Sequence, residues 1–211
     1  MKRIPDDVIR RLPRYLRMLD DMHERGETRV SSGQLSRQLG LPPSQLRQDL
    51  SWFNGPEQQA FTYDIDELRS ALGKILGTYD EFSAILIGPG KIGSALLEHF
   101  NFIVDGYKVL GAFDASPDRI GTEIAGVKVY DIGELGDFVR DNKVDIAILT
   151  VPRGPAQALT DTLVESGIQA IWNFTNQELD VGDSGILVEN VHFSDSLLAL
   201  NYYLSQKKAK E

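Results

Sequence analysis

Three glycines at fixed spacing follow a short apolar run in the middle of the chain. Residues 83–87 read Ser-Ala-Ile-Leu-Ile, and Gly88, Gly90 and Gly93 come directly after them. This G-x-G-x-x-G spacing is typical of turns that hold a dinucleotide pyrophosphate, because glycine permits a tight turn and a close approach of the backbone. The helix predicted from residue 92 to residue 100 would direct its first amide groups at the phosphates.

An acidic residue follows at the distance expected for ribose recognition. Asp114 lies 21 residues after Gly93, at the end of a strand predicted over residues 107–113. A carboxylate there would hydrogen-bond the adenine ribose hydroxyls and repel a 2′-phosphate, which favours NAD over NADP. The alternative interpretation is a doubly wound domain whose glycine-rich turn binds no ligand.

The surrounding chain alternates strands and helices. Apolar runs predict strands at residues 145–151, 169–174 and 186–191, and residues 155–166 have helical spacing. This order predicts an α/β domain with a doubly wound parallel sheet from about residue 82 to 191, whose ligands lie at the carboxyl ends of the strands. The predicted cofactor-binding residues are Gly88, Pro89, Gly90, Lys91, Ile92, Gly93, Asp114, Arg119, Thr150, Val151, Pro152, Asn173 and Phe174.

Composition excludes several classes of site. The chain has no cysteine among its 211 residues, which excludes disulfides, thiolate catalysis and zinc–thiolate centres. Its three histidines are scattered and form no metal-binding spacing. No stretch is long enough to span a membrane and no signal peptide is visible, so a cytoplasmic protein without a metal or membrane partner is expected.

Charge separates the first part of the chain from the rest. The formal net charge is −9. Residues 1–78 carry 12 Lys and Arg against 11 Asp and Glu, whereas residues 79–211 carry 10 against 20. The first segment is therefore the only part that nucleic-acid phosphates would not strongly repel.

That first segment is predicted to form three helices and a β-wing. One helix is expected over residues 5–25, and two short helices, over 32–39 and 45–53, flank a turn at Gly40. Ser31 and Ser32 can cap the first short helix and Ser44 the second. A wing at 54–65, a helix at 68–76 and a linker at 77–80 would follow. This helix-turn-helix pattern predicts DNA binding, with Gln45, Arg47, Gln48 and Ser51 facing outward; a helical dimerisation domain is the alternative.

Several segments in collinear order resemble the Rex family of bacterial NADH-responsive transcriptional repressors. They are IPDDVIRRLPRYLRML, VSSGQLSRQLGL, SQLRQDLSWF, GPGKIGSALL, AFDASPDRIG, AILTVPRGPAQAL, NFTNQEL and ILVENV. The resemblance implies a non-enzymatic homodimer that binds palindromic operator DNA when NAD⁺ predominates and is released by NADH. It also implies that the C-terminal helix is exchanged between subunits.

The resemblance also implies a domain organisation and further site residues. A winged helix-turn-helix domain would span residues 1–78, a Rossmann domain 79–192, and a dimerisation helix and tail 193–211. The helix itself is predicted over residues 194–204, with Ser194 as its cap. The predicted DNA-binding residues are Arg10, Arg14, Ser31, Ser32, Gln45, Arg47, Gln48 and Ser51, and the predicted switch residues are Arg17, His99, His192 and Phe193.

Four positions depart from the family pattern. Gln48 stands where the recognition helix usually has lysine, and Gln59 where the wing has a basic residue. His192 replaces the aspartate that pairs in the family with the arginine at position 17, and His99 replaces a tyrosine of some members. These departures leave open a paralogue that binds NAD(H) and in which DNA binding is altered or lost. A dehydrogenase using His99 or His192 as a general base is a further alternative.

Overall fold

The computed structural model of the protein describes residues 3–52, 62–100, 102 and 106–209. The chain forms two compact units, Met1–Asp80 and Glu81–Glu211. The division lies two residues after the predicted boundary. The C-terminal helix belongs to the second unit, although we predicted it as a separate segment.

The first unit begins with two helices where one was predicted. Helix α1 spans Asp6–Ile9 and helix α2 spans Leu12–Glu24. The break follows from Pro13, which has no N–H to donate to the carbonyl of Ile9 and whose ring would clash with that carbonyl. Proline is tolerated in the first turn of α2, so the chain starts a new helix there.

The next elements form a helix-turn-helix. Strand β1 (Arg29–Ser31) leads into α3 (Ser32–Leu39), and α4 spans Pro43–Leu50. Ser31 accepts a hydrogen bond from the Gln34 amide, while the Gln34 side chain bonds the Ser31 amide, which forms a capping box. The predicted cap at Ser44 is wrong, because α4 begins at Pro43 and has no side-chain cap. Proline is well suited to the first helical position, because the N–H that it lacks would have no partner within the helix.

A two-stranded sheet and one more helix complete this unit. Strand β2 (Thr62–Asp64) pairs antiparallel with β1, and α5 spans Ile65–Leu76. Asp64 caps α5 by accepting from the Glu67 amide (3.1 Å), so this helix begins three residues earlier than predicted. The central part of the predicted wing, including Gln59, lies outside the described residues. The core of the unit is formed by side chains of all these elements, among them Leu12, Tyr15, Leu19, Leu35, Leu46, Ile65 and Leu72.

The second unit is built on a seven-stranded sheet with the order β5-β6-β4-β3-β7-β8-β9. The strands are β3 (Phe82–Ile87), β4 (Tyr107–Asp114), β5 (Glu123–Ile124), β6 (Val127–Asp131), β7 (Ile146–Leu149), β8 (Ala170–Asn173) and β9 (Leu187–Asn190). All neighbours pair in parallel except β5 and β6. Strands added after β3 extend the sheet first on one side and later on the other. This is the doubly wound α/β arrangement expected from the sequence.

Helices cover the sheet on both faces. They are α6 (Lys91–His99), α7 (Leu135–Asn142), which follows a 3₁₀ turn at Ile132–Glu134, and α8 (Arg153–Glu165). Alternate residues of β3 divide between two cores, with Ile85 and Ile87 in one and Ala84 and Leu86 in the other. Strands β5 and β6 and helix α7 were not predicted. Only Leu135 and Val139 of α7 are buried, which leaves a weak periodic signal.

The last helix, α9, spans Phe193–Lys208. It begins after His192, so the predicted Ser194 cap is wrong. None of its described residues is buried, although most of those between Leu197 and Leu204 are apolar. A helix that is apolar on nearly every side is normally covered by protein.

Candidate dinucleotide site and nucleic-acid interface

The glycine turn between β3 and α6 has the geometry of a phosphate-binding loop. Gly88 has φ +82°, and a Cβ there would lie 2.6 Å from Val151 Cγ1. A Cβ at Gly93 would lie 2.6 Å from the carbonyl oxygen of Gly88, so this glycine lets α6 pack against the turn. A Cβ at Gly90 would meet nothing nearer than 3.9 Å. Gly90 therefore has open space beside it, where a ligand's phosphates could approach the backbone.

This turn lies where the strand order of the sheet reverses. Strand β3 pairs with β4 on one side and β7 on the other, and open α/β sheets bind ligands at the carboxyl ends of such strands. Thr150 follows β7, and its Oγ1 lies 3.0 Å from the Ile87 carbonyl oxygen and 2.7 Å from that of Gly88. The predicted residues at 88–93 and 150–151 are thus brought together.

Asp114 lies at the end of β4 and is joined to the glycine turn through Arg119. The Ser116 amide donates to Asp114 Oδ1 (2.8 Å), and Arg119 Nε lies 3.7 Å from Asp114 Oδ2. The Arg119 guanidinium also donates to the carbonyl of Pro89. The carboxylate is 18% exposed and can still accept from ribose hydroxyls.

Asn173 is part of the crevice wall but not of its surface. Its side chain is fully buried, donating to the Gln177 carbonyl (2.8 Å) and to Asn190 Oδ1 (2.7 Å), and accepting from the amide and hydroxyl of Thr175 (2.9 and 2.6 Å). All four of its hydrogen-bonding positions are therefore used inside the protein. The Asn173 side chain holds the loop that follows β8, and its place beside the nicotinamide stays a prediction.

The predicted switch residues of this unit fall in two places. His192 and Phe193 lie at the start of α9, where His192 Nε2 is 3.2 Å from Glu178 Oε1 and the rings of Phe193 and Phe174 are 6.2 Å apart. His99 lies at the end of α6 away from the glycine turn, and its side chain is 79% exposed. Lys91, Ile92 and Pro152 are exposed around the crevice.

In the first unit, one face of α4 is open to solvent. Ser44, Arg47, Gln48 and Ser51 are exposed and recur at the spacing i, i+3, i+4, i+7, which places them on a single helix face. Arginine and glutamine can bond bidentately to guanine and adenine in the major groove. Ser51 Oγ donates to the Gln48 carbonyl (2.7 Å) and is turned back onto its own helix. The long polar side chains of this face are those of Arg47 and Gln48.

Other predicted DNA contacts have structural roles. Gln45 donates to Asp49 Oδ1 (2.9 Å), Ser31 forms the capping box of α3, and Ser32 is buried, which removes its side chain from the surface. Arg10 is exposed at the end of α1, Arg14 is exposed in the first turn of α2, and Arg17 is exposed one turn after Arg14.

Sequence reasoning missed Asp49, the buried carboxylate that joins α4 to α2. It accepts from Arg11 Nε (2.7 Å), Arg11 Nη2 (2.9 Å) and the Tyr15 hydroxyl (2.6 Å), in addition to Gln45. Burial alone would raise the pKa of the Asp49 carboxyl, but hydrogen bonds from Arg11, Tyr15 and Gln45 hold that pKa below its ordinary value. The sequence signal was available, because Asp49 lies between Leu46 and Leu50 on the apolar side of α4 and needs a partner there.

The residues that the structure describes include neither a membrane-spanning helix nor a metal-binding cluster. None of their helices has the length and apolar character needed to cross a bilayer. No three of their histidines and carboxylates gather in a way that could hold a metal ion.

Comparison with known families gives one match for each unit. Residues 3–51 match the family described as putative DNA-binding protein N-terminus, and residues 80–177 match the family described as CoA binding domain. A redox-sensing transcriptional repressor Rex from Caldicellulosiruptor saccharolyticus is 44% identical over 200 residues, covering 95% of this chain and 91% of the relative.

Solved structures show the same similarity over nearly the whole chain. The structure of RSP in complex with β-NADH has a TM-score of 0.90 and 39% identity, covering 99% of this chain and 98% of the other. The structure of RSP in complex with β-NAD⁺ and operator DNA has a TM-score of 0.90 and 41% identity, covering 99% and 96%.

Proposed function

The chain belongs to the Rex family of redox-sensing transcriptional repressors, and we propose that it represses genes by binding operator DNA until NADH releases it. The observation that carries this proposal is the combination within one chain of an open α4 face and a dinucleotide-type glycine turn at the reversal point of a parallel sheet. The RSP structures with NADH and with NAD⁺ and operator DNA support both halves. Repression requires no chemistry on a substrate, and the relatives are named as repressors rather than enzymes.

In the first unit, α4 enters the major groove and reads bases. Arg47 and Gln48 contact base edges, while Arg10, Arg14 and the Ser31 region contact phosphates. The buried Asp49 cluster holds α4 against α2, so the reading face is positioned before DNA arrives. Because operator DNA is the partner, we place the protein in the cytoplasm.

In the second unit, NADH and NAD⁺ compete for the crevice at β3 and β7. Gly88, Gly90 and Gly93 admit the pyrophosphate, Asp114 accepts from the adenine ribose, and the nicotinamide lies towards Thr150, Val151 and Phe174. NADH shifts the protein to its non-binding state only by binding that state more tightly. A shift from 1:99 to 99:1 requires about 5.5 kcal/mol of differential binding.

The two-fold symmetry of a palindromic operator calls for a homodimer. Helix α9 supplies an uncovered apolar surface, with Leu197, Leu198 and Tyr203 each more than 60% exposed. We propose that α9 is exchanged between two copies of the chain and lies against the partner subunit.

Fluorescence anisotropy of a labelled palindromic Rex-type operator tests the function. The purified protein is added at low salt, and NADH or NAD⁺ is then titrated into the complex. We expect binding that NADH reverses and NAD⁺ does not. NADH uptake is followed in parallel by quenching of the Trp172 and Trp52 fluorescence.

The operator-binding and NADH-uptake measurements together distinguish the alternative functions. Uptake of NADH without binding to the operator would support a paralogue with a changed operator or no role on DNA, for which the exposed Gln48 is the structural reason. Absence of NADH uptake would contradict the redox-sensing function itself.

A further inference from the structure

Gln45 lies on the border between the exposed face of α4 and its buried side. It is in the first turn of α4 (Pro43–Leu50), it is half-buried, and it precedes the exposed Gln48 by about one helical turn. In helix-turn-helix proteins the N-terminal residues of the second helix are those that reach base edges. The place of Gln45 therefore suits a base contact, provided that its carboxamide has a free hydrogen-bonding atom.

One end of the Gln45 carboxamide is bonded inside the protein. Gln45 Nε2 donates to Asp49 Oδ1 (2.9 Å), one turn further along the helix. Gln45 Oε1, by contrast, accepts no hydrogen bond from the residues that the structure describes. The carboxamide thus has one partnered end and one end that can still accept from a donor.

Asp49 is fully buried, and its carboxylate cannot turn away from Gln45. Oδ2 accepts from Arg11 Nε (2.7 Å) and the Tyr15 hydroxyl (2.6 Å), while Oδ1 accepts from Arg11 Nη2 (2.9 Å) and from Gln45. Each oxygen therefore uses both of its lone pairs. Although burial alone would raise the pKa of the Asp49 carboxyl, these hydrogen bonds hold that pKa below its ordinary value. The group is therefore ionised at neutral pH and can only accept.

An ionised Asp49 determines which way round the Gln45 carboxamide lies. If the amide were reversed, Oε1 would face a carboxylate oxygen, and a hydrogen bond to a charged group would be lost. Such a hydrogen bond favours one orientation over the other by roughly ten-fold or more. Oε1 is therefore held as the free acceptor, whereas an unrestrained glutamine can turn either its acceptor or its donor to a base.

We propose that Gln45 selects operator bases that present an amino group in the major groove, and that Asp49 is the positioning residue that gives Gln45 this preference. Adenine N6 and cytosine N4 are the amino donors in that groove, whereas guanine O6 and thymine O4 are acceptors that would meet Oε1 unfavourably. This selectivity rests on the proposed function, since operator DNA is the ligand. Asp49 is fully buried and acts only through Gln45.

The test compares the full-length wild type with Gln45→Met, which keeps the length of the side chain but has no amide. Each base pair of the palindromic Rex-type operator is changed in turn in both half-sites, and the Kd of each operator is measured without NADH by fluorescence anisotropy. The position read by Gln45 is the one at which Gln45→Met loses discrimination. Gln38→Met is the matched control, because Gln38 is an exposed glutamine of α3.

At that position we expect the wild type to bind operators with adenine or cytosine about ten-fold or more tightly than operators with guanine or thymine. The reason is that each lost hydrogen bond weakens binding by roughly three-fold or more, and a palindrome has two half-sites. Gln38→Met should discriminate as the wild type does. Discrimination in Gln45→Met should fall below about two-fold.

Base analogues isolate the amino group itself. At the same position, purine replaces adenine, or 2-pyrimidinone replaces cytosine, which removes the amino group and keeps the ring. We expect the analogue to weaken operator binding by the wild type and by Gln38→Met about ten-fold or more, because the donor to Oε1 is gone from both half-sites. Binding by Gln45→Met should change by less than about two-fold.

Asp49→Asn tests the positioning role. An asparagine amide can donate to Gln45 Oε1, so the Gln45 carboxamide can reverse and present Nε2 to the DNA. We expect the preference for adenine or cytosine to fall by about five-fold or more at this position only. A thermal midpoint above the assay temperature checks that the variant is folded. Should it not fold, Gln45→Met and the base analogues still decide whether Gln45 reads an amino group.

Three outcomes would overturn the proposal. One is full discrimination by Gln45→Met at every position, and another is equally tight binding of the natural and the amino-free base by the wild type. The third is an equal loss of affinity for all operators in folded Asp49→Asn, which would leave Asp49 with a structural role alone. Discrimination as expected, without release by NADH, would support the base contact and refute the redox response. A wild type that binds no operator would refute both.

Discussion

Gly90 and Gly93 are three positions apart, yet a methyl group at each would meet different surroundings. A Cβ at Gly93 lies 2.6 Å from the Gly88 carbonyl, whereas one at Gly90 meets no atom within 3.9 Å. Gly90→Ala should therefore leave the thermal midpoint nearly unchanged while weakening NADH binding by roughly ten-fold or more, because the methyl occupies the space of the pyrophosphate. Gly93→Ala should lower both the thermal midpoint and the affinity for NADH. Differential scanning fluorimetry and fluorescence titration check this. Unchanged NADH affinity in Gly90→Ala would place the phosphates elsewhere.

The buried Asp49 carboxylate is bonded by Arg11, which also bonds the exposed carboxylate of Asp7. Arg11 bonds the fully buried Asp49 and also Asp7, whose side chain is 70% exposed. Asp49→Ala should destabilise the first unit by about 3 kcal/mol, since it removes the partner of a largely buried ion pair. Asp7→Ala, the matched control, should cost less than about 1 kcal/mol because solvent screens the exposed pair. Urea denaturation of both variants measures the difference. Equal effects would contradict the anchoring role of Asp49.

The lowered pKa of Asp49 also has a consequence in acid. A carboxyl group whose pKa is lower in the folded state contributes stability that is fully present above the unfolded pKa, about 3.9. That contribution is lost as the pH falls through the folded-state pKa, which lies below the ordinary value. The stability difference between wild type and Asp49→Asn should therefore be largest near pH 6 and shrink below about pH 4. Urea denaturation at pH 6 and pH 3 measures it, and a constant difference would refute the assignment.

On the exposed face of helix α4, the residue at position 48 affects how strongly operator binding depends on salt. Gln48 is exposed beside Arg47, and a lysine there would add a cation that can neutralise a phosphate. Gln48→Lys should make the slope of log K against log salt steeper by about 1.8, which is about 0.9 for each subunit of the proposed homodimer, and tighten operator binding roughly five-fold at low salt. Gln38→Lys, an exposed change on α3, controls for net charge. Weaker operator binding by Gln48→Lys would indicate that the base contact proposed for Gln48 contributes more to affinity than an added cation.

Elements whose signals are local were predictable from the sequence. Helix α3 occupies the predicted residues 32–39 because its capping box and its glycine stop are both encoded within ten residues, Ser31 to Gly40. The glycine turn at residues 88–93 was predictable too, because its three glycines lie within six residues. The Pro13 break in the first helix had a local cause too, and the prediction overlooked it. The hydrogen bond from Asn173 to Asn190 and the contact of His192 with Glu178 join two separate segments, and no periodicity in the sequence records such pairings.

In the molecule as a whole, the net negative charge lies on the cofactor-binding unit. Residues 79–211 carry 20 acidic against 10 basic residues, while the first unit is close to neutral. This asymmetry orients the molecule near DNA, because phosphates repel one unit and not the other. Recognition of DNA therefore depends on the cations of the first unit.

Helix α9 carries the exposed apolar surface that we propose is covered by a second chain in a dimer. Leu197 and Leu204 lie two turns apart on one side of α9 and are 61% and 49% exposed. Replacing both with lysine should convert the dimer to a monomer, since two cations cannot be buried in an apolar interface without partners. The thermal transition of the monomer should persist, because neither side chain is buried within its own chain. Gln206→Lys, on the opposite side of the same helix, serves as the control. Light scattering coupled to gel filtration measures the mass, and a double variant that remains dimeric would show that α9 is not the dimerisation element.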